Sequence, residues 1–428
     1  MKTYKVVVFP SGTEISFEIF NALKYVKFIE LYGANSITSH ADYVYKNNIN
    51  SLPFIDDERF VDEFNRLIDD NEIDFIYPAH DEACLKLMLN KDKYHAIIIS
   101  SPLETVKVCR SKKETYKKLI DKNYVPIFYD NISTIKQYPV FVKPSIGQGS
   151  VGTKLINTKE ELDYYLKNND NCVICEYLPG EEYTIDCFTN KSHELLSIHM
   201  RNRERIRMGI SVRSKLLKID DEVLNIAKDL NENFVFNGAW FFQVKKDINN
   251  RYKLMEVSPR IPGTMALTRN LGINYPLLTI YNFLNIPFEI IENSNDITID
   301  RAFINRFKTN IVYDTVYIDF DDTILNKGKI NSQIMMYLYQ CVNNKKRLIL
   351  LTKHKHDIIH DLLKNKICPQ LFDDIISIDE NDEKYKYIKY NNSIFIDDSF
   401  SERKKIKNKY EIPTFDLDMV ESLLDWKM

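Results

Sequence analysis

The sequence predicts a multidomain protein of mixed α/β and α+β class, and three observations carry that expectation. At roughly 150 residues per domain, a chain of 428 residues accommodates two to three domains. Apolar strand-like runs and helical patterns alternate over residues 1–105 and again from Tyr313, the pattern of parallel sheets. Between these regions, paired strands around polar turns dominate, which is an antiparallel signature. The composition, 44% hydrophobic, 28% charged and 12% aromatic, is that of a globular chain and excludes a disordered or fibrous one. A formal net charge of −3 supplies no global basic field, which argues against nucleic acid and against an anionic membrane as partners.

The first layer reads as the strand YKVVVF, a helix over residues 14–25, the strand DFIYP and a helix over 81–89. The opening apolar stretch covers only Val6 to Phe9, short of the roughly 7–15 residues of a secretion-signal core. The runs at 96–99 and 348–351 fall well short of the roughly 20 residues of a membrane helix. The expectation is a cytoplasmic protein without a membrane span. Seven cysteines, an odd number scattered from Cys84 to Cys368, form no disulfide framework. Cys172 and Cys175 spell C-x-x-C in a strand-like run, where residues three apart face opposite ways, so buried thiols are expected there.

The middle region starts with a helix over 113–122 and another over 158–167, the latter opened by a T-x-x-E capping box at Thr158 and Glu161. Two hairpins follow, EYTIDCFTNKSHELLSIHM and AWFFQVKKDINNRYKLMEV. From Tyr313 the order is VYIDF, a helix over 332–342, RLILLT, a helix, IISI, a helix, SIFIDD, a helix and PTFDL, a second doubly wound unit.

Glycine is scarce: 11 in 428 residues, against an ordinary share of about 7%. Three of them, Gly147, Gly149 and Gly152, fall within VKPSIGQGSVGT. Clustered glycines let consecutive backbone N–H groups form a nest for phosphate oxygens. A flexible hairpin turn is the alternative; Lys143, at the end of the preceding apolar run, favours phosphate.

In the order KPSIGQGSVG, EYLPGEE and Q…MEVSPR, these blocks resemble the ATP-grasp superfamily, particularly its carbamoyl-phosphate-synthetase-like and biotin-carboxylase-like branch, over about residues 1–305. The resemblance implies a Rossmann-like pre-ATP-grasp layer over 1–105 and an ATP-grasp fold over 106–305. Lys112, with Lys113 as a rival, and Lys143 match the lysines that grip ATP phosphates. The strand edge Glu176, Tyr177, Leu178 matches the one that meets adenine, and Glu182, with Glu181 as a rival, the acid that accepts from ribose hydroxyls. Gln243 and Glu256, on facing strands of one hairpin, match magnesium ligands, and Arg260 a cation beside the transferred phosphate. Ser258, a further candidate magnesium ligand through its hydroxyl, stands where the family commonly has Asn, and Gln243 where many members have a carboxylate, which leaves one or two magnesium ions open. The implied cofactors are ATP and Mg2+, with Mn2+ as an alternative. The implied chemistry is phosphorylation of a carboxylate to an acyl phosphate and attack by an amine, so the partners are a small-molecule carboxylate and an amine. Arg201, Arg203 and Arg205, expected on one strand face, are candidates for the acceptor's carboxylate or phosphate, with a charge-protected strand edge as the alternative. Specificity is expected from residues 11–13 or 80–82.

The sharpest motif is VYIDFDDTIL, an apolar strand ending in Asp319, Asp321 and Asp322 followed by Thr323. Carboxylates crowded at the carboxyl end of a parallel strand repel one another unless a cation lies among them. With RLILLT ending in Thr352, Lys384 (Lys386 as a rival) and SIFIDD ending in Asp397 and Asp398, the stretch 313–428 resembles the haloacid-dehalogenase superfamily, after a linker at 306–312. The resemblance implies that Asp319 attacks phosphorus, Asp321 serves as general acid and base, Thr352 and Lys384 bind the phosphoryl group, and Asp319, Asp321, Asp397 and Asp398 surround Mg2+. Twenty-nine residues separate Thr323 from Thr352 and thirty-two separate Thr352 from Lys384, too few for a lid domain. A capless Rossmann-like unit with an open site for a phosphorylated substrate is expected. His354, His356 and His360 are read as a solvated helix face. The economical account is a ligase fused to a phosphatase on one pathway. A small-molecule kinase or a non-catalytic nucleotide-binding module is the alternative for the first half, and a homodimer remains open.

Overall fold

The computed structural model describes residues 2–169, 171–207 and 209–427. The chain divides after Phe303 into two compact units.

The larger unit opens with a five-stranded parallel sheet. Its central strand Tyr4–Phe9 lies between Ile29–Ala34 and Phe75–Pro78, with Asn47–Ile49 and Ile97–Ile98 at the edges. Alternate residues of VVVF feed different cores: Val6 and Val8 pack with Ile19 and Phe20, Val7 and Phe9 with Phe60 and Phe64. Helices cover both faces, which is why the strand is apolar throughout. The chain switches direction across the sheet at Tyr4–Phe9, so the loops leaving it and Phe75–Pro78 meet at the ligand-binding edge of such sheets. Thr13 Oγ1 donates to the Ala79 carbonyl there (3.0 Å).

A seven-stranded sheet follows, with Glu182–Thr189 between Leu195–Asn202 and Gly238–Lys246, the last paired with Tyr252–Ser258; all three pairings are antiparallel. Trp240, Phe242 and Leu254 anchor its buried face. A smaller antiparallel sheet places Val140–Pro144 between Lys154–Ile156 and Cys172–Glu176. Cys175 is buried, Cys172 partly so, and all seven cysteines are free of disulfides.

Helix details differ from expectation, beginning with the helix expected over 14–25, which spans Glu14–Leu23. The helix expected over 113–122 spans Lys112–Lys118, because Ser111 Oγ caps the Glu114 N–H (3.2 Å) and Leu119 leaves the helical conformation. In Lys159–Leu166, Thr158 caps Glu161 as expected, but the Glu161 carboxylate reaches back to the Asn157 N–H (2.8 Å), one residue further.

The smaller unit, Ile304–Lys427, holds a five-stranded parallel sheet ordered Asp374–Ser377, Arg347–Thr352, Thr315–Ile318, Ser393–Ile396 and Thr414–Phe415. The segment read as a linker belongs to it: Ile311 packs on its core and the Arg306 guanidinium lies 4.0 Å from the Trp426 ring centroid. Between Thr323 and Thr352 come only the short hairpin Leu325–Asn326/Lys329–Ile330, the helix Ser332–Asn343 and the strand Arg347–Thr352. No helix among the described residues is long and apolar enough to cross a membrane.

Candidate functional site

Two centres emerge, one in each unit. In the larger, the glycine loop leaves the strand Val140–Pro144, whose buried Lys143 donates to the Tyr116 hydroxyl (2.7 Å) and the Met255 carbonyl (3.1 Å). Burial pulls the Lys143 ammonium below its ordinary pKa, since desolvation disfavours a cation that lacks a close anion. Lys112 reaches the Gly147 carbonyl (3.3 Å) and lies 3.7 Å from Glu256, whereas Lys113 turns away to Asp130. Gly149 and Gly152 adopt positive φ of 60° and 70°. Beside Lys143 a cavity is lined by Phe141, Cys175, Glu176, Tyr177, Leu178, Lys245 and Met255, which brings the expected adenine edge next to the lysine expected at phosphate.

Gln243 and Glu256 are direct cross-strand partners, so their side chains leave one face of the sheet together. Glu182 pairs with Arg203, whose Nη1 also donates to Gln243 Oε1 (3.1 Å) and whose Nη2 donates to the Gly209 carbonyl (2.7 Å). Glu181 takes the Tyr183 hydroxyl instead. Gly209 presses on the glycine loop: a Cβ there would fall 2.2 Å from the Gly149 carbonyl carbon.

The three arginines do not share a strand face. Leu195–Asn202 ends before Arg203, and Arg205 begins another strand, Arg205–Arg207. Arg201 is held in a buried two-bond pair with Asp186 (2.9 and 3.2 Å) and Arg205 pairs with Asp300, so among them Arg203 alone joins Glu182 and Gln243. Ser258 and Arg260 also differ from expectation. Ser258 Oγ donates to Asp81 Oδ1 (2.7 Å), and Arg260 donates to Asp81 Oδ2 (2.6 Å) and to the Ile261 carbonyl (3.0 Å). The hydroxyl expected at a metal and the guanidinium expected at a phosphate are both engaged by one carboxylate. Burial works against the Asp81 charge, but Arg260 outweighs it and holds this carboxyl far below the usual range.

In the smaller unit, the strands Thr315–Ile318 and Ser393–Ile396 run parallel and in register, which delivers Asp319 and Asp397 side by side. Lys384 Nζ donates to Asp319 Oδ1 and Asp397 Oδ2, both at 2.6 Å. Lys386 pairs with Asp382, which separates the two candidate lysines. Burial, and then the charge of Asp397, push the Asp319 carboxyl above the usual carboxylate range despite Lys384; burial also raises Asp397. Burial lowers Lys384, yet the two carboxylates outweigh it and raise its pKa. Asp319, Asp397 and Asp398 each bring a carboxylate oxygen within 4.8 Å of the others. One lysine for three carboxylates leaves negative charge uncompensated, and an all-oxygen donor set fits a hard divalent cation such as Mg2+. Thr352 ends its strand fully buried, its hydroxyl without a well-formed hydrogen bond, and it acts on the Asp319 carboxyl to lower its pKa.

Asp321 is not in that cluster. Its side chain is 49% exposed and its carboxylate is bonded by His354 Nδ1 (2.9 Å to one oxygen), while His354 Nε2 meets Asp361 at 2.8 Å. The histidine reading is thereby revised. His354 and His356 precede the helix Ile358–Lys364, because Asp357 caps it by accepting from the Ile359 and His360 N–H groups. His354 and Asp361 are the residues that sequence reasoning missed; Asp357 ahead of an apolar run is an N-cap signal that could have located the helix start.

Residues 168–302 match the family described as ATP-grasp in the biosynthetic pathway with Ter operon. Over 69 residues the chain is 30% identical to D-alanine–D-alanine ligase of Lacticaseibacillus casei, covering 15% of this chain and 19% of that one. Over 141 residues it is 27% identical to the carbamoyl phosphate synthase large chain of Clostridium perfringens, covering 30% and 13%. The matched stretches thus span less than a fifth of these curated relatives. Among solved structures, the biotin carboxylase domain of Hydrogenobacter thermophilus 2-oxoglutarate carboxylase superposes with a TM-score of 0.56 at 15% identity, over 69% of this chain and 72% of that one; at that identity the likeness is one of fold. With the family match over residues 168–302 and the partial sequence relatives beside it, the larger unit carries an ATP-grasp domain, and it shares its fold with a biotin carboxylase domain.

Proposed function

We propose that the larger unit is an ATP- and Mg2+-dependent ligase that joins a carboxylate to an amine, and that the smaller unit is a Mg2+-dependent phosphohydrolase of haloacid-dehalogenase type. The observation that carries the ligase reading is the cross-strand pair Gln243 and Glu256, with Lys112 3.7 Å from Glu256 at the mouth of the glycine loop. Lys112 and Lys143 would hold phosphate oxygens, residues 176–178 the adenine, Glu182 the ribose hydroxyls, and Gln243 and Glu256 the metal, for which Mn2+ is the alternative. Bound Mg2+ would neutralise phosphate charge. The terminal P–O bond of ATP breaks as a carboxylate oxygen bonds phosphorus and ADP departs. The amine nitrogen then bonds the acyl carbon, the acyl C–O bond to phosphate breaks, and inorganic phosphate leaves with the nitrogen's surplus proton. The names of the matched ligase and synthase support this class of reaction.

In the smaller unit, Asp319 would bond phosphorus while the ester oxygen leaves with a proton from Asp321. Water, giving its proton to Asp321, would then displace Asp319 and release phosphate. Lys384 and Thr352 would hold the phosphoryl oxygens. The two reactions would follow one another on a phosphorylated precursor or its product.

Arg203 favours a second reading. Its hold on both Glu182 and Gln243 occupies the groups that ribose and metal need, which favours a non-catalytic nucleotide-binding module with only the hydrolase turning over; a small-molecule kinase is the other alternative. Incubating the full chain with ATP, Mg2+ and a mixed metabolite pool separates these readings by mass spectrometry. The ligase gives a mass equal to acid plus amine minus water that is absent with Lys143→Ala. A phosphorylated metabolite with ADP indicates a kinase. Loss of phosphate abolished only by Asp319→Asn leaves the hydrolase as the working half.

A further inference from the structure

Among the groups around the acidic centre, His354 is bonded on both ring nitrogens. Nδ1 meets the two Asp321 oxygens at 2.9 and 3.1 Å, and Nε2 meets Asp361 at 2.8 Å. Its side chain is only 7% exposed although Asp321 is half exposed. The ring stands edge-on to Phe320, centroids 5.2 Å apart and planes at 83°, and Phe320 is itself fully buried between Asp319 and Asp321 in the chain. Asp361 lies on the helix Ile358–Lys364, a rigid element. A carboxylate on a loop that is open to water has free rotation about its side-chain bonds. Here that rotation is removed by a ring which is itself fixed by a buried aromatic on one side and a helix carboxylate on the other.

We propose that His354 is a positioning residue that holds the Asp321 carboxyl for proton transfer to the leaving oxygen, with Asp361 as its anchor. The inference rests on the phosphohydrolase reading, in which Asp319 bonds phosphorus, the ester P–O bond breaks and the Asp321 proton goes to the departing oxygen. A residue that only stabilises the fold affects all substrates alike. One that aims the general acid matters in proportion to how much the leaving group needs a proton. An alkoxide is strongly basic and needs it, whereas 4-nitrophenolate is stable without it.

The test compares kcat/KM, which reports the steps through ester cleavage, for 4-nitrophenyl phosphate and for glycerol phosphate, using the full chain with Mg2+. His354→Ala is expected to lower kcat/KM about 100-fold for the alkyl ester and less than about threefold for the aryl ester, the scale of a lost general acid. Asp361→Asn, which keeps a hydrogen-bonding side chain, shows the same selectivity with a smaller loss and guards against misfolding of the first variant. Equal losses on both esters, or none on either, overturn the positioning role while leaving the phosphohydrolase reading intact. A wild-type chain that cleaves neither ester, or cleavage that survives Asp319→Asn, overturns that reading and the inference with it.

Discussion

Asp81 and Arg260 form a partly buried ion pair at 2.6 Å that ties the first turn of a helix in the parallel layer to the segment just after Glu256 and Ser258. The pair fixes where the candidate metal ligand Glu256 lies relative to the loops at the edge of the parallel sheet. Its geometry is completed by Ser258 at 2.7 Å and by the Ile261 carbonyl.

Removing one partner of such a pair leaves a poorly solvated charge, so Asp81→Ala is expected to destabilise the larger unit by about 1–3 kcal/mol. The folded carboxyl is depressed below its unfolded value, so its contribution is present above the unfolded pKa, near 3.9, and fades as pH falls through the folded one. The gap between wild type and variant should therefore be full at pH 7 and narrow in acid. Urea unfolding followed by Trp240, buried in this unit, in a Trp426→Phe background measures it; a gap that widens in acid contradicts the assignment.

Gly209 has φ of 74° and faces the Gly149 backbone without room for a methyl group. Gly209→Ala must displace one strand or the glycine loop proposed to hold phosphate. An ADP affinity about tenfold weaker, equivalent to 1.4 kcal/mol, is the expected result by calorimetry. Unchanged affinity would mean that the loop does not hold phosphate in this arrangement.

How much of this was legible in sequence depends on whether local pattern or register decides. Gln243 and Glu256 could be paired in advance because alternating strands around KKDINN fix which residues face each other. Arg201 could not be dismissed, because its partner Asp186 is opposite His199 in the register and reaches it only along a diagonal. Lys384 and Lys386 are equivalent in sequence; a 3-10 turn over Lys384–Tyr387 buries the first and leaves the second with Asp382. The histidines were misread for a local reason, since H-x-x-x-H spacing suggests one helix face and the Asp357 cap interrupts it.

The depressed Lys143 ammonium leads to a proton-linkage prediction. An unfolded lysine binds its proton up to about pH 10.4, while the folded one releases it earlier. The destabilisation this causes at neutral pH is relieved as pH rises through the folded value. An anionic nucleotide raises the pKa again, so ADP binding at alkaline pH should take up protons. Calorimetry in buffers of differing ionisation enthalpy reads that uptake, and Lys143→Met should abolish it.

Metal addition should act on the smaller unit separately. Asp319 and Asp397 are both raised by burial, and Lys384 is the cation that pairs with their carboxylates among the described residues, in a cluster that also includes Asp398. A cation bound only by the folded state stabilises it by about 2.7 kcal/mol at a hundredfold excess over its dissociation constant. Mg2+ should thus raise the thermal transition reported by Trp426, and chelation should reverse the shift. Lys384→Met leaves two buried carboxylates unpaired, so the apo unit should lose stability and Mg2+ should restore a larger share of it than in wild type. Asp397→Asn with Asp398→Asn should remove the Mg2+ response altogether. A Trp426 transition indifferent to Mg2+ in the wild-type chain would mean that the three carboxylates do not form a metal site.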